Sequence, residues 1–243
     1  MKLKTAIQYK LSVQWRSVLI YLGFFLLFAV IFPLMPMLLI DGVTNVHVDL
    51  LAPAMIYIMI LSITSVGNDF KLFIQCGTSR LHIFVANFVS SLILTFGLSI
   101  VLKMLFELFN GGLIPNFFLQ YQLITLITGG NFWPSMFLLW VFLILAASIG
   151  MMIGALLNRF DGYLRLAIGA LSLGIVILGS ILFQLLSPAA KMAVIDFIKL
   201  VIGLGANGLN SWQFIGFIFV VSLILLVIVY LLNRRQEVKR INA

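Results

Sequence analysis

Six runs of about twenty uncharged, mostly apolar residues divide this chain, and each is long enough at 1.5 Å per residue to cross a ~30 Å hydrocarbon core. They are Ser17 to Ile40, Leu50 to Asn68, Ile83 to Leu102, Ser135 to Asn158, Leu166 to Leu186 and Trp212 to Leu232. Lipid offers no hydrogen-bond partner to exposed backbone, so such runs must span as helices. With 63% hydrophobic and 9% charged residues, the chain cannot form an ordinary soluble domain, in which about 25% are charged. The longest segment between runs, Lys103 to Pro134, leaves no room for a sizeable aqueous domain, so residues 1–243 read as one membrane domain.

Charge then orients the chain. With the N-terminus inside, the inner segments carry Lys2, Lys4, Lys10, Arg16, Lys71, Arg80, Arg159, Arg165, Arg234, Arg235, Lys239 and Arg240. The outer segments carry only Lys103, Lys191 and Lys199. This bias predicts six spans with both termini in the cytoplasm. A seventh span between Leu113 and Thr128 is too short, carries Pro115, Asn116, Gln120 and Gln122, and would place Arg159, Arg165 and the basic C-terminus outside; an outer-interface helix fits better. The net charge of +8 points to anionic lipid and not to nucleic acid, because the cations sit beside spans instead of on a soluble face.

Two further amphipathic segments are expected not to cross. Leu3, Ile7 and Leu11 share one helical face ahead of the first span, which predicts an N-terminal interfacial helix; a basic topogenic tail is the simpler alternative. Ala189 to Leu204 is opened by Ser187-Pro188, stopped by Gly203, Gly205 and Gly208, and interrupted by Lys191, Asp196 and Lys199. Those charges would be costly at mid-membrane, so the segment is read as an outer helix, surface-lying or re-entrant, that gates the outer end. Lys103 and Glu107 are spaced to pair at i and i+4. Pro33 and Pro36 should kink the outer end of the first span. Gly150 and Gly154, and Gly169, Gly174 and Gly179, permit close backbone approach, either within the chain or to a second copy.

No catalytic constellation is visible. There is no GxxxxGK[ST] loop for ATP, and His47 and His82 lack the spacing of a metal site. Gly77-Thr78-Ser79-Arg80 lacks the arrangement of a nucleophile turn. Cys76 is the sole cysteine, which rules out an internal disulfide and a thiolate cluster. Few ionisable groups fall inside the runs, which disfavours an ion-coupled transporter.

The distinctive inner segment is Asn68 to Arg80. Asp69 suits the start of a short helix, Phe70, Phe73 and Ile74 give it an apolar face, Gly77 ends it, and Thr78 or Ser79 caps the next span. A simple connector with a topogenic arginine is the plain alternative. Asp69-Phe70-Lys71 followed by Gly77-Thr78-Ser79-Arg80 resembles the signature that small ABC type-2 exporter permeases carry after their second span. The likeness extends to the N-terminal helix, the six spans and the turn Asn158-Arg159-Phe160-Asp161-Gly162. It implies an all-α permease in which Asp69, Phe70, Lys71, Phe73, Gly77, Thr78, Ser79, Arg80 and Arg159 meet a separate ABC ATPase subunit. That partner would hold ATP and Mg²⁺, leaving this chain without cofactor, metal or catalytic residue of its own. A second permease copy or a related permease would complete the transporter. The implied cargo is a hydrophobic or amphipathic molecule, such as an antimicrobial peptide or drug, moved out of a bacterial cell. A non-transporting membrane scaffold or immunity protein is the alternative without an ATPase. The sequence departs from the pattern in having His82 where a second basic residue is common, and in its short Arg159 to Arg165 turn.

Overall fold

The computed structural model describes residues 2–31, 35, 46–110, 117–160, 162–163, 178, 181–185, 187–205 and 208–234. The expected fifth span Leu166 to Leu186 with its glycines, the kink at Pro33 and Pro36, Arg165 and the C-terminal basic residues from Arg235 fall largely or wholly outside them. The elements in chain order are α1 (Lys2–Leu26) with a terminal π-helical turn (Leu27–Ile31), β1 (Val46–Asp49), α2 (Leu51–Gln75), α3 (Arg80–Leu108), β2 (Phe117–Gln120), α4 (Gln122–Thr128), α5 (Phe132–Arg159), α6 (Pro188–Ile202), β3 (Leu204–Gly205), β4 (Gly208–Leu209) and α7 (Ser211–Arg234). Four of these, α2, α3, α5 and α7, are long and apolar enough to cross a membrane.

Helix α5 is the centre of the bundle and packs along α2, α7 and α3. Its glycines explain how closely. A Cβ added at Gly150 would lie 2.4 Å from the Met59 carbonyl oxygen, and one at Gly154 would lie 2.9 Å from that of Ile63. The small-residue pair is therefore spent inside the chain, on α2, and not on a second copy. Leu138, Leu139, Leu143, Ala147, Met151 and Ala155 of α5 are buried as well, Ala147 and Met151 beside Phe88 and Ser91 of α3 and Leu226 of α7.

Connections at the two ends show that α2, α5 and α7 run in one direction and α3 in the other. At one end, β1 pairs in parallel with β2, the Tyr121 hydroxyl donates to the Leu102 carbonyl (2.6 Å), and Ser211 Oγ donates to the Ile127 carbonyl (2.7 Å). Burial pushes the Tyr121 phenol above its usual pKa, with Asp49, Tyr21 and Glu107 adding to the rise. At the other end, Arg80 Nη1 donates to the Arg234 carbonyl and Arg159 Nη1 to that of Leu232. Trp133 and Trp212, 62% and 56% exposed, stand at the first-named end, as membrane-interface aromatics do.

Three expectations are corrected. The N-terminal segment is not a separate interfacial helix: α1 runs unbroken from Lys2 to Leu26, because no breaker interrupts it and Ala6, Lys10, Gln14, Val18, Leu22 and Phe25 form one inward stripe. The short coupling helix is not separate either, since α2 continues through Asp69 to Gln75; nothing after Asn68 breaks it until Gly77 adopts φ 68°. The expected outer helix between Leu113 and Thr128 shrinks to the seven residues of α4, because Phe117–Gln120 is drawn into the β1 ladder. Apart from the two small sheets the described elements are helical, as an all-α membrane fold predicts.

Other expectations hold. Ser79 accepts from the His82 amide and caps α3. Lys103 pairs with Glu107 at 2.8 Å, buried over the Phe106 ring, while Glu107 stays exposed. Ser187 caps α6, Gly203 ends it in the left-handed region, and its fifteen residues are too short to cross at 1.5 Å each.

Candidate functional site

The α2–α3 turn is built on a small apolar cluster of its own. Phe70 and Phe73 of α2, Ile83 and Ala86 of α3 and Ala6 of α1 are buried together, with Leu3, Ile7 and Ile74 against them. Tyr9 meets the Phe73 ring edge-on at 6.2 Å. The sequence pattern placed Phe70 and Phe73 on an apolar face, and it is α1 that covers that face. Neither ring is therefore available to a partner protein.

What the turn offers instead is Leu72, Gln75, Cys76, Gly77, Ser79, Arg80, Leu81 and His82, all exposed, with Thr78 half-buried. Ser79 Oγ and His82 Nδ1 are in direct hydrogen-bond contact. The side chains of Asp69 and Lys71 lie outside the described ones. Beside the turn, a cavity of about 400 Å³ opens between α1 and α2, lined by Thr5, Ala6, Tyr9, Leu72, Phe73 and Cys76 among others.

Arg80 and Arg159 come from different loops yet converge on the end of α7. Arg80 Nη1 reaches the Arg234 carbonyl at 2.6 Å and Arg159 Nη1 the Leu232 carbonyl at 3.4 Å. The last carbonyls of a helix lack intrahelical donors and carry partial negative charge, so two guanidiniums there are favourable. The guanidinium of Arg159 also lies 5.5 Å from the Phe160 ring centroid. The turn, the end of α5 and the end of α7 are thus tied into one body at this pole of the bundle.

The outer gate residues do not form a site with these. Asp196 and Lys199 pair at 3.6 Å on α6, both exposed, and Lys191 is half-buried one helical turn from the start. Helix α6 touches the bundle through α7, where Gln213 Nε2 donates to the Leu200 carbonyl (2.5 Å) and the Asn210 amide to that of Gly203 (2.8 Å). Met192, Phe197 and Leu200 are each about two-thirds exposed.

Sequence reasoning missed a polar seam along α1. Lys10, Gln14, Ser17 and Tyr21 recur at helical spacing and face Asn87 of α3 and Ser65 and Tyr57 of α2. The ammonium of Lys10, 3% exposed, meets Asn87 Oδ1, and Tyr57 donates to Ser17 Oγ at 2.9 Å. Among the described residues, no three His, Cys, Asp or Glu side chains gather to hold a metal ion. No protein-family model, curated protein or solved structure matches the chain.

Proposed function

We propose that this chain is the membrane-spanning subunit of an ATP-driven exporter of the ABC type-2 class, working in a bacterial cytoplasmic membrane beside a separate ATPase and a second permease. The observation that carries this reading is the tie between the Cys76–His82 turn and the ends of α5 and α7 through Arg80 and Arg159. A push on an isolated connector would bend the connector. A push on this turn is delivered to two long helices at once, as coupling of nucleotide closure to helix movement requires. The turn lies at the pole where the bulk of the chain's cations fall, which the positive-inside bias assigns to the cytoplasm, with six spans in all. Cargo would be hydrophobic or amphipathic, because the bundle presents apolar helix faces and few charges along its length.

The burial of Phe70 and Phe73 moves the contact surface to Leu72, Arg80 and Leu81. The test is co-expression with an ATPase carrying a phosphate loop, followed by co-purification and peptide-stimulated ATP hydrolysis in vesicles. Leu72→Asp should weaken association by about thirtyfold, the worth of one interface anchor at about 2 kcal/mol. Arg80→Glu should uncouple hydrolysis from transport. Cysteines at Asn131 and Asn210, which are exposed at the opposite pole, should react with an impermeant reagent in intact cells, while Cys76 should not. Normal association and transport in both variants would leave the turn a connector. That result favours the second reading, a self-contained scaffold or immunity protein, which the internal satisfaction of both arginines supports.

A further inference from the structure

Helix α1 packs its backbone along α3 and meets α2 through the side chains of Tyr9, Gln14, Ser17 and Tyr21, which leaves a notch of about 210 Å³ between α1 and α2. Its floor is polar. Gln14 is 7% exposed, and its Nε2 donates to Ser65 Oγ at 3.3 Å, while its Oε1 has no hydrogen-bond partner among the described residues. Lys10, against Asn87, forms the adjoining wall. The rim is different: Tyr9, Val13 and Thr64 are exposed on the outer flank of the bundle.

Depth sharpens the picture. Asn87 lies seven residues beyond Arg80 in α3, so Lys10 and the notch sit about 10 Å along the bundle from Arg80, level with the inner ends of the second and third apolar runs although Lys10 and Gln14 precede the first. A buried amide oxygen without a donor calls for an explanation, and a ligand hydroxyl supplies one.

We propose that this notch binds the head of an uncharged, hydroxyl-bearing amphipath that enters sideways from the leaflet on the Arg80 side. The hydroxyl donates to Gln14 Oε1, and the alkyl chain leaves over Val13 and Leu61 into lipid. The volume is below the ~300–1,000 Å³ of sites that enclose a whole drug-sized ligand, so it suits a head group only. A cationic head would meet the Lys10 ammonium at short range in low dielectric, and an anionic head would gain from that charge but would bring only acceptors to Gln14 Oε1, itself an acceptor. A neutral alcohol meets neither penalty. The site needs no nucleotide, so it stands or falls separately from the export reading.

The experiment uses the whole protein in phosphatidylcholine vesicles with three photoreactive probes of equal chain length: a monoacylglycerol, the corresponding alkyl amine, and an alkane without a head. The monoacylglycerol should label the peptides bearing Val13 and Leu61 about fivefold more than the other two, the worth of a single hydrogen bond. Unlabelled monoacylglycerol should compete. Gln14→Leu should bring labelling down to the alkane level, and Ser65→Ala should lower it as well, which keeps the test decisive if one variant fails to assemble. Equal labelling by all three probes, or labelling that survives both variants, means that the notch holds solvent only and overturns the proposal.

Discussion

Helix α2 has two flanks built on opposite rules. Toward α5 it meets glycine, and the backbones come so close that a single methyl at Gly150 would fall 2.4 Å from a carbonyl oxygen. Toward α1 it presents Tyr57 and Ser65, and a notch remains between the helices. The first flank derives cohesion from dispersion between close-packed atoms, which is what remains when lipid cancels the hydrophobic drive. The second depends on hydrogen bonds, leaves one acceptor unmet, and keeps α1 separable from α2. One helix thus divides a tight half of the bundle from a half with room in it.

The largest expected effect comes from invading the tight flank. Gly150→Ile should destabilise the bundle by about 3 kcal/mol or more, since the collision is with backbone and not with a side chain that can swing away. Reversible unfolding in mixed micelles measures it, and wild-type stability would refute the close-packing account. Next, Phe73→Ala should cost about 3 kcal/mol by emptying the cluster under α1. It should also loosen α1, seen as faster amide exchange around Ala6. An unchanged exchange pattern would mean that the cluster does not hold α1. The smallest effect belongs to the loose flank. Gln14→Leu should change stability by less than about 1 kcal/mol in either direction, because it trades one hydrogen bond for relief of an unmet acceptor. A loss as large as that at Gly150 would erase the contrast between the flanks.

Apolar runs alone located the four long helices to within a few residues at most ends. Thus Trp212 to Leu232 became Ser211–Arg234, and Ser135 to Asn158 became Phe132–Arg159. The error grew where a helix continued past its apolar run. Neither Asn68 in α2 nor Lys10 in α1 is a helix breaker, so composition changed while the backbone did not. The pairing of Val46–Asp49 with Phe117–Gln120 was not legible, because four-residue strands carry no periodic signal and their contact is remote in sequence. The seam was legible in principle. Lys10, Gln14, Ser17 and Tyr21 share a helix face, yet the same Lys10 also served as an orientation signal, and that explanation sufficed. The candidate turn was half legible: the caps at Ser79 and Gly77 followed from residue type, but that α1 covers Phe73 requires a partner surface that no local pattern reveals.

The parallel pairing of β1 with β2 also imposes an order on biogenesis. Antiparallel neighbours can close as soon as a hairpin is made, but a parallel pair must wait for its crossover connection. Here that connection contains the whole of α2 and α3, so Val46–Asp49 has no ladder until residue 120 has been synthesised. At ~5–20 residues per second, the strand waits several seconds for its partner while two long helices are made. Its closure requires the segments before α2 and after α3 to lie at the same pole of the bundle. A helix that turned the wrong way would leave β2 at the opposite pole and Val46–Asp49 without its ladder.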